Sequence, residues 1–165
     1  MLGVGTDEQK GSAMTPYAKL KELQITLPES EAPVAAFVPT VRTGNLLFVS
    51  GHIAKRDGKP WVGKLGVQLS TQEGKLAARS AAIELLATLH HELQDLERVK
   101  RVVKMLCLVN SSQHFTEQHL VANGASELLQ EVFGAKGNHA RSAFGVAQIP
   151  MGSCLEIELI LELND

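Results

Sequence analysis

Arg141 stands in a run of small residues, with Ala140, Ala143, Gly145 and Ala147 around it. A strand face of little bulk leaves space beside one guanidinium. A small carboxylate fits such a space through two parallel hydrogen bonds. Glu156 falls on the next predicted strand, after a turn at Pro150-Met151-Gly152-Ser153. A hairpin there would bring Arg141 and Glu156 to the same end of a pocket. A glutamate whose pKa is raised by burial can orient or deprotonate a water. The same two residues also make an ordinary strand-to-strand ion pair, and residue types alone favour that plainer arrangement.

Other constellations offer less. The histidines are His52, His90, His91, His114, His119 and His139. His90 and His91 point to different sides of a helix, and the spacing of His114 and His119 does not share a helical face. No pair has ligand spacing, so no metal is expected. Cys107 and Cys154 lie in apolar runs outside any CxxC motif and read as small buried thiols of a reducing cytosol. Ser50 precedes Gly51 at a strand end without a GxSxG elbow. Gly3-Val4-Gly5 follows no strand, so it is no phosphate loop, and no cofactor is expected.

The 165 residues suit one domain with room for a real core. Sixteen basic against eighteen acidic residues leave a net charge of −2 and no basic block. With few aromatics as well, nucleic-acid binding is disfavoured. No apolar run is long enough for a membrane span, and no secretory signal opens the chain. The expected location is the cytoplasm.

The elements that must position these side chains follow from pattern. Residues 1–14 are Gly-rich and polar and read as a flexible tail, with one domain over 15–165. Thr15-Pro16 starts a short helix through Leu23. Val34 to Val38 and Thr40 to Thr43 read as strand pieces around Pro39. Gly44-Asn45 turns into a strand over Leu46 to Gly51, buried on both faces. A long loop from His52 to Leu69 holds Trp61, which either serves a site or covers core. Ser70-Thr71-Gln72-Glu73 is a capping box, opening a helix to about Leu93. On it Leu76, Ile83, Leu86, Leu89 and Leu93 share a face, and its alanines allow close packing on a sheet. A strand over Val99 to Val109 follows, then a helix with Thr116 as N-cap, stopped by Gly134. The Arg141 strand and the strictly alternating strand from Cys154 to Leu163 end the chain. This order predicts an α+β fold, a sheet packed on two main helices, plus a short N-terminal helix.

Two blocks resemble the Rid family, also called the YjgF or L-PSP family. The first runs from Thr43 to His52, similar to that family's strand ending in Ser-Gly-Gln. The second comprises Ala140-Arg141-Ser142, Ile149-Pro150 and Leu155 to Glu158, similar to its ARS…LP…EIE block. The similarity covers about Pro33 to Leu163. It implies a chorismate-mutase-like fold and a homotrimer with sites in clefts between subunits. It also implies hydrolysis of reactive enamines and imines to 2-keto acids and ammonia. Arg141 would hold the substrate carboxylate and Glu156 would position the attacking water. Ser50 and Gly51 would line the cleft.

The chain departs from the deaminase branch at three cleft positions. Phe37 replaces a tyrosine, Ala143 a small thiol, and His52 a glutamine. His52 would bring a titratable group to the pocket rim, or none of consequence. The N-terminal helix and a longer 114–133 segment look like additions of a divergent subfamily. The function classes left are a deaminase acting on a small carboxylate-bearing metabolite, a non-catalytic trimeric 2-keto acid binder, and the endoribonuclease activity attributed to some of the family.

Overall fold

A computed structural model describes residues 14–30 and 35–165. Except for Met14, the expected tail falls outside the described residues. The first helix, α1, spans Pro16–Glu22, with the Thr15 side chain accepting from the Ala18 N–H as its cap. Three larger pieces follow: α2 at Thr71–Leu93, the long strand β5 at Val99–Asn110, and α3 at Gln118–Phe133. The other strands are β1 (Thr40–Thr43), β2 (Leu46–Ile53), β3 (Lys55–Arg56), β4 (Lys59–Pro60), β6 (Ala140–Val146) and β7 (Leu155–Leu163).

One sheet of five strands runs in the order β1-β2-β7-β5-β6. All neighbours are antiparallel except β5 and β6, which the α3 crossover makes parallel. The small β3–β4 hairpin stands apart. Both long helices cover one face of the sheet. Between them lie Leu155, Ile157, Leu159, Leu161 and Leu163 of β7, all essentially inaccessible. The alternation read from β7 is therefore real: its even-numbered residues are partly or fully exposed on the open face.

Five expectations change. β6 and β7 are not a hairpin, because β5 lies between them. Residues 147–154 instead pass over the end of β5. There the buried Asn110 side chain donates to Gly63 O and Ser153 O and fixes the crossing. The stretch before β1 is bent rather than extended from 35 to 37, and Val34 lies outside the described residues. β2 is buried on one face only, with Leu46 and Phe48 exposed on the other. On α2, Leu76 is half exposed while Ala77, Ala78, Ala81 and Ala82 are fully buried. Small side chains take the inner face because α3 packs tightly against α2. The capping box of α2 forms as expected. Thr116 does not cap α3; Glu117 precedes the helix, and its carboxylate accepts from the Thr71 hydroxyl instead of capping.

Candidate functional site

The residues singled out by sequence fall into two groups, one around β2 and the central strand β7 and the other on the edge strand β6. The first gathers where β2 is interrupted by an irregularity between Val49 and His52. Phe37, Ser50, Gly51 and His52 line one cavity of about 290 Å³ together with Glu84 and Thr88 of α2. The Ser50 hydroxyl donates to Val38 O at 2.7 Å. Lys55 and Glu84 form an ion pair at 3.1 Å in the wall.

His52 is held on both ring nitrogens, Nδ1 2.7 Å from Ser50 O and Nε2 2.7 Å from Thr88 Oγ1. A carbonyl only accepts, so Nδ1 carries the proton and Nε2 accepts from Thr88. Burial lowers the His52 pKa, with the Ser50 carbonyl opposing. His52 is thus a neutral brace between the β2 irregularity and α2, rather than a charged group at a rim.

Glu156 lies against this group from the open face. Its carboxylate occupies the space that a Cβ on Gly51 would fill. Burial raises the Glu156 pKa, and the neighbouring Glu158 charge adds to the effect. The glycine at position 51 thus makes room for a carboxylate of its own chain.

The second group is on the edge strand β6. Arg141 is paired with Met105, and Met105 with Leu159, so Arg141 faces the helices. Its Nη1 donates to Asn123 Oδ1 at 2.8 Å and to Ser126 Oγ at 3.1 Å, and its Nη2 donates to His119 O at 3.1 Å. A guanidinium has five N–H groups. Nε–H and one Nη2–H therefore make no hydrogen bond among the described residues. No carboxylate pairs with Arg141 there either. Ala143, two positions on, packs against the core edge.

Arg141 and Glu156 do not meet within one chain. Glu156 pairs with Leu108, which pairs with Phe144, three positions along β6 from Arg141. The odd offset places the two side chains on opposite faces of the sheet. They are separated by about 10 Å across the strands and about 10 Å along them. The simple salt bridge and the single-chain pocket are both excluded by this register.

The cysteines are no alternative nucleophiles. Burial pushes the thiols of Cys107 and Cys154 up to about 12. Among the described residues no three His, Cys, Asp or Glu side chains converge as a metal site requires. Sequence reasoning missed Asn123, Ser126 and Thr88. All three act through contacts between a helix and the sheet, which no local motif marks.

These features define a class of protein: one sheet backed by two helices, with one polar group beside the β2 irregularity and another on the edge strand β6. The model of the family described as "YjgF/chorismate mutase-like, putative endoribonuclease" matches residues 18–163, and the chain belongs to this family. The match begins inside α1, earlier than the two sequence blocks indicate. Protein TCP17 of Trypanosoma cruzi is 47% identical over 150 residues, covering 90% of this chain and 94% of that protein. The crystal structure of Atu1372 from Agrobacterium tumefaciens, a protein of unknown function, is 39% identical with a TM-score of 0.84. It covers 91% of this chain and 94% of its own. A "putative endoribonuclease" from Shewanella oneidensis is 30% identical with a TM-score of 0.88, covering 91% of this chain and all of its own.

Proposed function

We propose that this chain is a Rid-type hydrolase of reactive enamines and imines, with Arg141 holding the substrate carboxylate and Glu156 positioning the water. The observation that carries the reading is the state of Arg141. Its guanidinium is half-buried, has no carboxylate partner among the described residues, and keeps Nε–H and one Nη2–H for a ligand. A small carboxylate answers both the charge and those donors.

The chemistry asks for little more. The iminium carbon is already electrophilic. Water adds to it while Glu156, its pKa raised, takes the water's proton. Glu156 then gives that proton to the carbinolamine nitrogen, and ammonia leaves as the hydroxyl returns its own proton to the carboxylate, forming the carbonyl of the 2-keto acid. Positioning and a nearby base suffice without a covalent intermediate.

A pocket that uses both residues takes them from different copies of the chain. Two unlike surfaces that meet head to tail close into a ring when the rotation between copies closes. In the homotrimer we infer, the β6 edge of one copy faces the cavity beside Gly51 of the next. Ile53, Leu108, Phe144, Val41 and Phe48 lie on the open face of the sheet, the last three substantially exposed. Such a face favours burial against further copies. Two free cysteines suit the reducing cytoplasm in which we place the protein.

A second reading is a binding protein for 2-keto acids. Phe37 and Ala143 favour it, because each replaces a polar group of the cleft with an apolar one. The names of several relatives point to cleavage of RNA, a reading that the net charge of −2 does little to support.

Imine generated in situ by an amino-acid oxidase, with the keto acid trapped as it forms, separates these readings. Faster keto-acid formation with wild type and none with Arg141→Ala is the expected result. No acceleration over several side chains, while pyruvate still raises the melting temperature, would move the assignment to the binder. RNA cleavage abolished by Arg141→Ala would move it to the nuclease.

A further inference from the structure

Arg141 lies across one face of α3, touching His119, Asn123 and Ser126 at helical spacing. One of these contacts continues beyond the helix. His139 Nε2 is 2.9 Å from Ser126 Oγ, and His139 Nδ1 is 2.6 Å from Gly137 O. A chain of hydrogen bonds therefore runs from the guanidinium through a hydroxyl and an imidazole to a backbone carbonyl.

The two ends of this chain and a neutral imidazole between them set the direction of its protons. The guanidinium can only donate, and the Gly137 carbonyl can only accept. Nδ1 therefore carries the imidazole proton, and a neutral Nε2 accepts. The single hydroxyl proton of Ser126 goes to Nε2, which leaves the Ser126 lone pair turned toward Nη1 of Arg141. The neutral ring is favoured by its burial and by the like charge of Arg141 beside it, against the opposing pull of the Gly137 carbonyl. Nearby acids do not compete for this site: Glu127 and Glu131 of α3 are paired with Lys75 and Arg79 of α2.

We propose that Ser126 and His139 are positioning residues that lock Arg141, so that its Nε–H and remaining Nη2–H are presented to an incoming carboxylate. This rests on the reading of Arg141 as the carboxylate clamp. With His139 gone, the Ser126 hydroxyl is free to turn, and Nη1 keeps only Asn123 as a fixed partner. A looser guanidinium binds the same anion less tightly, because the ordering then falls at the moment of binding.

Two measurements test this on the full chain. Nitrogen NMR of the ligand-free protein at neutral pH should find His139 as the Nδ1–H tautomer, with rotation of the Arg141 guanidinium slow in wild type and faster in His139→Phe. An Nε2–H tautomer, an imidazolium, or unchanged rotation overturns the proposal, whether or not any ligand binds. Calorimetric titration with pyruvate should then show affinity about tenfold weaker for Ser126→Ala and His139→Phe. His139→Gln keeps an acceptor for Ser126 and should stay within about threefold of wild type. Binding lost in Arg141→Ala but unchanged in the Ser126 and His139 variants would overturn the lock and leave the clamp standing. Absence of pyruvate binding by wild type would sink the clamp reading, and the NMR result would then decide the lock alone. Ser126→Ala keeps the test open should His139→Phe fail to fold.

Discussion

If Glu156 positions the water as proposed, it does so at a cost to the fold. Burial and the Glu158 charge raise its pKa, so ionisation is harder in the folded chain than in the unfolded one. Between the ordinary carboxylate pKa and the raised one, the folded state holds the extra proton. Stability is therefore lost as pH climbs through that window, and the full penalty remains above it. Glu156→Gln removes the ionisation. We expect the variant to melt higher than wild type at pH 7 to 8, with the difference fading below about pH 4. Its turnover should fall far more than its affinity for pyruvate, and the acid limb of the wild-type rate profile should lie above the usual carboxylate range. Equal losses of turnover and affinity would mark Glu156 as a structural residue instead. At this scale a local motif keeps its own neighbours together: Ser50, Gly51 and His52 of β2 line one cavity, and Phe37 reaches the same cavity from the stretch before β1. The sequence was silent where a side chain finds its partner on another element, as His52 does at Thr88 and Arg141 at Asn123.

Two glycines show how tightly the helices that carry these partners are packed. A Cβ on Gly124 of α3 would run into the backbone carbonyl of Lys75 on α2, which cannot step aside. A Cβ on Gly74 of α2 would meet Leu65 Cδ1 at 2.7 Å, the far end of a side chain, and Val121 Cγ2 at 2.9 Å, a branch of a stiff, buried valine. Alanine is the better helix former by about 1 kcal/mol at either place. Overpacking costs about 1–3 kcal/mol, and more where backbone must move. Gly124→Ala should therefore lower the urea midpoint clearly, while Gly74→Ala should lower it less. A reversed order would show that α2 and α3 adjust their spacing freely. The capping box and the alternation of β7 were legible in the sequence, because each is a pattern within one element. The position of β6 was not. The turn at Pro150 to Ser153 signals that the chain reverses, and a reversal does not say which strand fills the place beside it. Here β5, the longest strand, takes the gap and the last connection steps over it.

Across the whole molecule, the sheet offers unlike chemistry at its two sides. A cavity and a carboxylate lie beside the β2 irregularity, and a prepared guanidinium lies on β6. The family resemblance pointed to Arg141 and Glu156 as partners, while the register keeps them apart within one copy. The proposed ring of copies would resolve this, and it makes a prediction that no single-chain pocket shares. Arg141→Ala and Glu156→Gln should each be inactive when expressed alone. Expressed together in equal amounts, they form mixed rings in which some clefts take Arg141 from one variant and Glu156 from the other. Random assembly restores both residues in about a quarter of the clefts, so about a quarter of wild-type activity should return. Sedimentation would show the same particle size for the mixture and for wild type. A mixture as inactive as its parents, at that same size, would mean that the two residues never share a cleft, and the assignment of Glu156 to the water would fall while Arg141 stood.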